Sequence, residues 1–132
     1  MIRKVIIGKK EWYNRETFGL ELHLPGISPL PGQFFQVRVN DNLDPFLNRP
    51  ISVASYRRGK LLLIIRVVGK GTALLSRKRA GENLTILGPY GNGVKVKNRG
   101  KSLIVAGGIG VAPLYYLAQH LKKKKIDFTF IY

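Results

Sequence analysis

Residues 61–72 read LLLIIRVVGKGT, and this stretch decides the fold of the chain. Its first eight residues are almost all branched and apolar, which is typical of a central strand buried within a sheet. The glycines at 69 and 71 then allow a tight turn, and Thr72 can cap a short helix that we predict over residues 72–79. The stretch therefore predicts a central strand, a turn and a brief helix.

Four further segments on either side of this stretch have strand patterns. In two of them apolar side chains alternate with other residues, the period-2 pattern of a strand with one buried face. The other two are shorter. Together the segments predict a small antiparallel barrel of about six strands, with residues 88–93 as a long turn after it. The four segments are residues 18–24, 35–39, 50–55 and 84–87.

The pattern changes after Gly100 to strand, glycine turn, helix and strand. This β-α-β order is the opening unit of a parallel nucleotide-binding sheet. We therefore predict a barrel domain over residues 1–98 and the start of an α/β nucleotide-binding domain over residues 99–132. The four elements of the second part are residues 102–106, 107–110, 111–122 and 126–132.

Composition limits the size and class of the protein. The 132 residues are 45% hydrophobic and carry 23 Lys and Arg against 7 Asp and Glu, a formal net charge of +16. That length suits one ordinary domain and does not suit two complete ones. No apolar run reaches the ~18–20 residues of a membrane span, so we expect a cytoplasmic protein with no membrane contact. With no cysteine, these residues cannot form disulfides, zinc thiolate sites or an iron–sulfur cluster.

The first candidate motif is Arg49-Pro50-Ile51-Ser52. An arginine fork offers paired hydrogen bonds to a phosphate. Because Arg49 and Ser52 are three residues apart, a bend or bulge near Pro50 is expected to bring both to one ligand. The alternative interpretation is an ordinary surface arginine beside a turn proline.

Two glycine motifs are also candidates. Residues 69–72, GKGT, precede a helix, whose start offers free N–H groups to an anion, although a plain helix cap explains them equally well. Residues 107–113, GGIGVAP, lie between a strand and a helix, where a dinucleotide pyrophosphate can bind. The alternative there is a tight turn that needs glycine for its own geometry.

Five motifs in order give the chain a family resemblance. It resembles the ferredoxin reductase superfamily, and within it the electron-transfer subunits of heterodimeric dihydroorotate dehydrogenases. The resemblance implies a six-stranded antiparallel Greek-key barrel that binds FAD, followed by an NAD-binding α/β domain. The motifs are PGQF at 31–34, RPIS at 49–52, VVGKGT at 67–72, LGPYGNGV at 87–94 and GGIGVAP at 107–113.

Carried over residue by residue, the resemblance gives each motif a part in cofactor binding. Arg49 would hold the FAD pyrophosphate, and Ser52 would hydrogen-bond near the redox-active edge of the flavin. The central strand would line the cofactor, a helix start would bind phosphate, and the last glycines would face the nicotinamide dinucleotide. No catalytic side chain or metal ligand is expected. The expected cofactor-binding residues are Arg49, Pro50, Ile51, Ser52, Ile64, Ile65, Arg66, Gly71, Thr72, Gly107, Gly108 and Gly110.

The function implied by the resemblance is an electron relay. FAD would exchange a hydride with NAD(H) and pass single electrons through a 2Fe-2S cluster to a partner flavoprotein that oxidises dihydroorotate to orotate. The expected partner is the catalytic dihydroorotate dehydrogenase subunit of pyrimidine biosynthesis, in a heterotetramer. Family members carry the rest of the NAD domain and a cysteine cluster, so NAD(H) and the 2Fe-2S cluster are expected only in a full-length subunit.

Two other functions fit parts of the sequence. A reductase subunit for a hydrogenase or a ferredoxin-dependent transhydrogenase would share the cofactor motifs. A nucleic-acid-binding barrel would suit the positive charge, but single-strand binders interleave aromatic and basic residues, and the basic clusters here do not. The lysine run reads more simply as a solvated helix C-terminus, where cations complement the helix dipole. The basic clusters are residues 57–58, 77–79 and 122–125.

Overall fold

Six antiparallel strands form a closed barrel in the computed structural model, which describes residues 1–40, 47–97 and 100–132. A short helix, α1 (Lys70–Ser76), lies between the fifth and sixth strands. The strands are β1 (Ile2–Trp12), β2 (Thr17–His23), β3 (Phe34–Arg38), β4 (Arg49–Arg57), β5 (Lys60–Arg66) and β6 (Asn83–Tyr90).

The strand order around the barrel is β1-β2-β5-β4-β3-β6, and β6 pairs again with β1 to close it. β5 lies between β2 and β4, where Leu63 pairs with Leu20 and Leu61 pairs with Tyr56. The predicted antiparallel barrel is therefore confirmed. The strand predicted over residues 61–68 is also present, but it ends at Arg66, two residues earlier than predicted.

The core of the barrel follows from side-chain alternation. Along β5, Leu61, Leu63 and Ile65 point inward and are buried, whereas Ile64 and Arg66 lie on the outer face. A strand with period 2 presents every second side chain to one side, so each strand contributes one to three buried apolar residues to one cluster. The largest fully buried side chains of the barrel are Phe18, Phe35, Ile7, Leu20, Leu22, Leu24, Leu61, Leu63, Ile65, Leu75 and Ile86.

The first strand, β1, has no clear pattern in the sequence. Ile6 is 52% exposed while the adjacent Ile7 is fully buried, so apolar residues stand on both faces. The register with β2 also shifts between Ile7 and Lys9, which interrupts the alternation at Gly8. The prediction of about six strands is confirmed, although no pattern in the sequence indicates where β1 lies.

The long turn predicted over residues 88–93 is wrong in its first part, because β6 runs on to Tyr90. The pairing of β3 with β6 continues through a register shift between Phe34 and Gln36. At Gly88 φ is 139°, and a Cβ there would lie 3.0 Å from Phe35 Cδ1. Glycine therefore lets the strand bend over the core at a point where a side chain would collide with it.

A two-stranded parallel sheet with one helix follows the barrel. Its strands pair in register, with Ile104 opposite Phe130, and the predicted β-α-β order is confirmed. The predicted boundary between residues 98 and 99 lies outside the described residues. Neither helix of the described part of the chain is long and apolar enough to cross a bilayer. The elements are β7 (Ser102–Val105), a 3₁₀ turn (Gly108–Gly110), α2 (Val111–Lys123) and β8 (Phe128–Ile131).

Two hydrogen bonds join α2 to the barrel. Ser55 Oγ on β4 donates to Gln119 Oε1 at 2.8 Å, and Tyr116 Oη donates to the Pro29 carbonyl at 2.8 Å. Burial, and to a lesser extent the nearby Tyr56, raises the pKa of Tyr116, so its hydroxyl stays protonated as a donor at neutral pH. The helix is thereby held against β4 with its N-terminal end near β5.

The two neighbouring isoleucines of β5 give a direct test of this packing. Ile65→Val is expected to lower the free energy of unfolding by about 0.5–1.5 kcal/mol, since a buried methyl group is lost. Ile64→Val, the matched control on the outer face, is expected to change it by less than about 0.5 kcal/mol. Urea denaturation of both variants without cofactor measures the difference. Equal losses would contradict the assignment of Ile65 to the core.

Candidate cofactor-binding site

A cleft of about 360 Å³ lies where β4, β5 and the N-terminal end of α2 meet. We call it the arginine cleft. Nine of the twelve residues predicted from the sequence line it: Arg49, Pro50, Ile51, Ser52, Ile64, Ile65, Arg66, Thr72 and Gly110. The remaining lining residues, which were not among the predicted twelve, are Val68, Ile109, Ala112 and Pro113.

Arg49 is held in the cleft by its backbone surroundings. Its Nη1 donates to the Leu47 carbonyl at 2.6 Å. Its guanidinium lies directly against Gly71 of α1, where a Cβ would come within 2.7 Å of Nη2 and 2.8 Å of Cζ. Arg49 forms no ion pair with any carboxylate of the described residues. The guanidinium is therefore positioned without being neutralised.

The bulge predicted near Pro50 is wrong. Pairing of β4 with β3 is continuous from Arg49 to Ser52, and the register shift lies further along, between Val53 and Ser55 where β4 meets β5. Arg49 and Ser52 nevertheless line one cleft. The long arginine side chain, and the space above Gly71, bring the guanidinium there without a bend in the strand.

Ile64 and Arg66 face the cleft from the outer side of β5, as predicted. Ile65 also borders it, but Ile65 is 1% exposed and belongs to the barrel core. Strand alternation turns the Ile65 side chain inward, so the outer two residues can offer side-chain contacts and Ile65 can offer its main chain.

The sequence pattern predicts Thr72 as the cap that begins the helix, but Thr72 lies inside the first turn of α1. The helix predicted over residues 72–79 begins at Lys70 with Gly69 as its N-cap. The Thr72 hydroxyl accepts hydrogen bonds from the N–H groups of Val68 at 2.9 Å and Gly69 at 3.2 Å. The helix ends at Ser76, because the Arg77 N–H bonds back to the Leu74 carbonyl. Thr72 therefore stabilises the turn that carries Gly71 to Arg49.

The three glycines of the 107–113 motif lie in different surroundings in the structure. Gly110 lines the arginine cleft, and Gly108 lines an adjoining cavity. Gly107 lines neither of them. No atom lies within 4 Å of the position a Cβ would take at any of the three, so the chain itself does not crowd this turn. The turn is open toward the cleft at the start of α2.

The adjoining cavity, of about 670 Å³, shares Ile64, Arg66 and Ile109 with the arginine cleft. Arg66 forms an exposed ion pair with Glu16, with Nη2 3.0 Å from Oε2. Such a pair contributes no more than about 1 kcal/mol, so a ligand could recruit Arg66 at little cost. Much of the remaining lining comes from the loop between β1 and β2, where no sequence motif predicts a site. That loop supplies Tyr13, Asn14, Arg15 and Glu16, and β2 adds Thr17.

The charge of the arginine cleft is positive. Arg49 and Arg66 line it, and no acidic side chain of residues 1–40, 47–97 and 100–132 does. Among the described residues no group of three or more His, Asp or Glu could hold a metal ion. The cleft therefore has the character of an anion site with apolar walls, formed by Pro50, Ile51 and Ile64.

Comparison with known proteins gives close relatives. The chain is 48% identical over 99 residues to the electron transfer subunit of dihydroorotate dehydrogenase B (NAD(+)) of Clostridium acetobutylicum, with 74% of this chain and 40% of the relative covered. The identity with the corresponding subunit of Desulforamulus reducens is 43% over 118 residues, covering 86% and 45%. The chain therefore spans less than half the length of the curated relatives it matches. No model of a known protein family matches it.

Solved structures share the fold. The NADH-dependent reduced ferredoxin-NADP oxidoreductase, described in a study of flavin-based electron bifurcation, superposes with a TM-score of 0.87 at 33% identity, over 96% of this chain and 46% of that one. Phthalate dioxygenase reductase superposes with a TM-score of 0.81 at 21% identity, over 98% and 42%. The second likeness concerns the fold alone.

Proposed function

Since this chain is a homologue of the electron transfer subunits of dihydroorotate dehydrogenase B and has the ferredoxin reductase fold, we propose that it binds FAD in the arginine cleft. Its proposed activity is to carry electrons between NAD(H) and a partner flavoprotein. The proposed partner is the catalytic dihydroorotate dehydrogenase subunit of pyrimidine biosynthesis, in a heterotetramer. Bound FAD would supply both hydride and single-electron chemistry.

The single observation that carries this proposal is the contact between Arg49 and Gly71. It places a guanidinium that has no ion pair among the described residues beside a glycine, in a cleft that no described carboxylate lines. A diphosphate fits that combination, because its oxygens can accept two parallel N–H bonds from an arginine. The missing side chain at Gly71 leaves the space in which that arginine lies. Arg49 and Gly71 therefore fit the pyrophosphate of FAD.

The rest of the cleft fits the planar part of the cofactor. Ile51, Ile64 and Val68 offer apolar contact and exclude water from one side of the cleft. Ser52 is half-buried on β4 and brings a hydroxyl that can donate or accept a hydrogen bond. No side chain of the cleft is a histidine or a carboxylate. The proposed work of this chain is thus to bind and orient, with no proton held by a general acid or base.

Other parts of the proposal concern the second half of the relay. Gly108 and Gly110, at the start of α2, are the proposed contacts for the nicotinamide dinucleotide, and Gly107 is proposed with them on sequence alone. We propose the division into a flavin-binding part over residues 1–98 and a nucleotide-binding part over residues 99–132, supported by the separate barrel and parallel sheet. The 132 residues contain no cysteine and so offer no thiolate ligand for a 2Fe-2S cluster.

Reconstitution with FAD tests the proposed function first. Purified chain mixed with excess FAD and passed through a desalting column is expected to retain the flavin visible absorbance, with a stoichiometry near one per chain. Bound flavin should also show changed fluorescence relative to free FAD. Protein that emerges folded by circular dichroism but without flavin absorbance would contradict the proposal.

A second partner is favoured by one comparison. The relative in the bifurcating NADH-dependent reduced ferredoxin-NADP oxidoreductase structure is 33% identical, which supports a transhydrogenase-type complex as the alternative. Affinity purification from the source cells separates the two. Recovery of a dihydroorotate-oxidising flavoprotein supports the first partner, and recovery of a ferredoxin-dependent oxidoreductase subunit supports the second.

A further inference from the structure

A third cavity lies between β4 and the second half of α2, away from the arginine cleft. Its volume is about 770 Å³, within the range of small-molecule sites. It shares no lining residue with the arginine cleft or the adjoining cavity. We call it the tyrosine cavity, after Tyr56, Tyr115 and Tyr116 in its lining. Nothing in the proposed flavin function uses it.

One side of the tyrosine cavity is positively charged. Arg57 enters from the end of β4, while Lys122 and Lys123 enter from the last turn of α2. No carboxylate lines the cavity, and these three cations have no ion pair or hydrogen-bond partner among the described residues. The helix dipole accounts for lysines at a helix C-terminus. It does not account for an arginine that a strand brings to the same cavity.

His120 also lines the cavity. Burial lowers its pKa, and the neighbouring Lys124 and Lys123 lower it further. The imidazole is therefore neutral at pH 7 and can donate or accept a hydrogen bond in the cavity.

The other side of the cavity is aromatic and held in place. Tyr56 Oη donates to the Leu24 carbonyl at 3.0 Å, and Tyr116 Oη donates to the Pro29 carbonyl at 2.8 Å. Their hydroxyls are thus engaged with the barrel, and the rings form a fixed wall. Tyr115, 46% exposed, stands at the opening. Fixed aromatic rings are surfaces on which nucleobases stack.

From these two sides we infer that the tyrosine cavity binds a nucleoside triphosphate, with the base against the tyrosines and the phosphates on Arg57, Lys122 and Lys123. This site would be separate from both dinucleotide positions of the proposed relay. It does not depend on flavin binding, so the two proposals can fail independently.

The experiment uses FAD-saturated chain, with ATP and inorganic tripolyphosphate as probes, titrated at about 0.15 M salt, where exposed charges are largely screened. ATP is expected to bind saturably and about tenfold more tightly than tripolyphosphate, because only ATP carries a base to stack. Equal affinities would remove the aromatic half of the inference. Absence of saturable ATP binding would overturn it entirely.

The lysine run supplies a matched pair of variants. Lys122 and Lys123 line the cavity, whereas Lys124 and Lys125 do not. The double variant Lys122→Gln/Lys123→Gln is expected to weaken ATP binding about tenfold or more, and Lys124→Gln/Lys125→Gln, with the same change in net charge, about twofold or less. Equal losses in both would show attraction to general positive charge and overturn the site.

Two further readouts keep the test informative if a lysine variant does not fold. Tyr115→Leu is expected to lower ATP affinity toward that of tripolyphosphate while leaving tripolyphosphate binding unchanged. In wild-type protein, ATP is expected to shift the imidazole resonances of His120 and to leave those of His23, exposed on β2, in place. Unmoved His120 resonances at saturating ATP would contradict the proposed location.

Discussion

Replacing Arg49 with alanine is expected to raise the dissociation constant for FAD by about 10- to 100-fold, since a hydrogen bond to a charged group contributes about 1.5–3 kcal/mol. The guanidinium already lies in the cleft against Gly71 and has no ion pair with a carboxylate of the described residues to break. Arg49→Lys should fall between wild type and alanine, because a lysine keeps the charge and loses the planar fork. Quenching of FAD fluorescence during titration with apoprotein measures all three constants.

The control is Arg77→Ala, which removes the same charge from the exposed C-terminal end of α1. Its FAD dissociation constant should stay within about twofold of wild type, because exposed distant charges are screened by salt. If the Arg49 and Arg77 variants weaken binding equally, the effect is one of net charge. In that case Arg49 has no specific contact with the cofactor.

Replacing Gly71 with alanine is expected to weaken FAD binding by a similar factor without unfolding the protein. The new Cβ would lie 2.7 Å from Arg49 Nη2, so the flexible arginine has to move out of its position. The backbone of Gly71 is not in the left-handed region, and alanine in a helix is favoured over glycine by about 1 kcal/mol. Stability should therefore stay the same or rise while affinity falls, as thermal unfolding of the apoprotein and FAD titration would show.

The double variant Arg49→Ala/Gly71→Ala tests whether Gly71 affects FAD binding through Arg49. With the guanidinium already gone, alanine at 71 has no arginine to displace, so the double variant should bind FAD about as weakly as Arg49→Ala alone. Fully additive losses would mean that Gly71 acts through direct backbone contact with the cofactor. Gly69→Ala is the matched glycine control, because a Cβ at Gly69 meets nothing within 4 Å.

Much of the barrel could be predicted because its strands obey a simple rule. β2 alternates in sequence and β5 is a nearly continuous apolar run, and their inward residues Leu20 and Leu63 are partners on these two neighbouring strands. β1 escaped prediction because Ile6 and Ile7 are both apolar while only Ile7 is buried, and the register shifts two residues later. Local patterns reveal a strand only where burial on one face is uninterrupted.

The ordered motifs predict most of the residues that line the candidate site. They do not predict the residues that reach it through packing between distant elements. Arg49 and Ser52 do share a cleft, but the length of a side chain brings them together rather than a bulge. The wall formed by Ala112 and Pro113 exists because α2 packs on β4 and the 3₁₀ turn before it contacts β5. The loop containing Tyr13 reaches the adjoining cavity because β1 and β2 pair as a hairpin. Such contacts depend on how elements pack, which no short stretch of sequence encodes.

The closure of the barrel also affects which strands can pair with a strand of another copy of this protein. β6 pairs with β1, so each of the six barrel strands has a neighbouring strand on both sides. The small sheet of β7 and β8 has two strands, with Leu103, Val105 and Ile131 exposed on one side. Within the described residues, the edges of that sheet are therefore the favoured place for strands of two copies to pair.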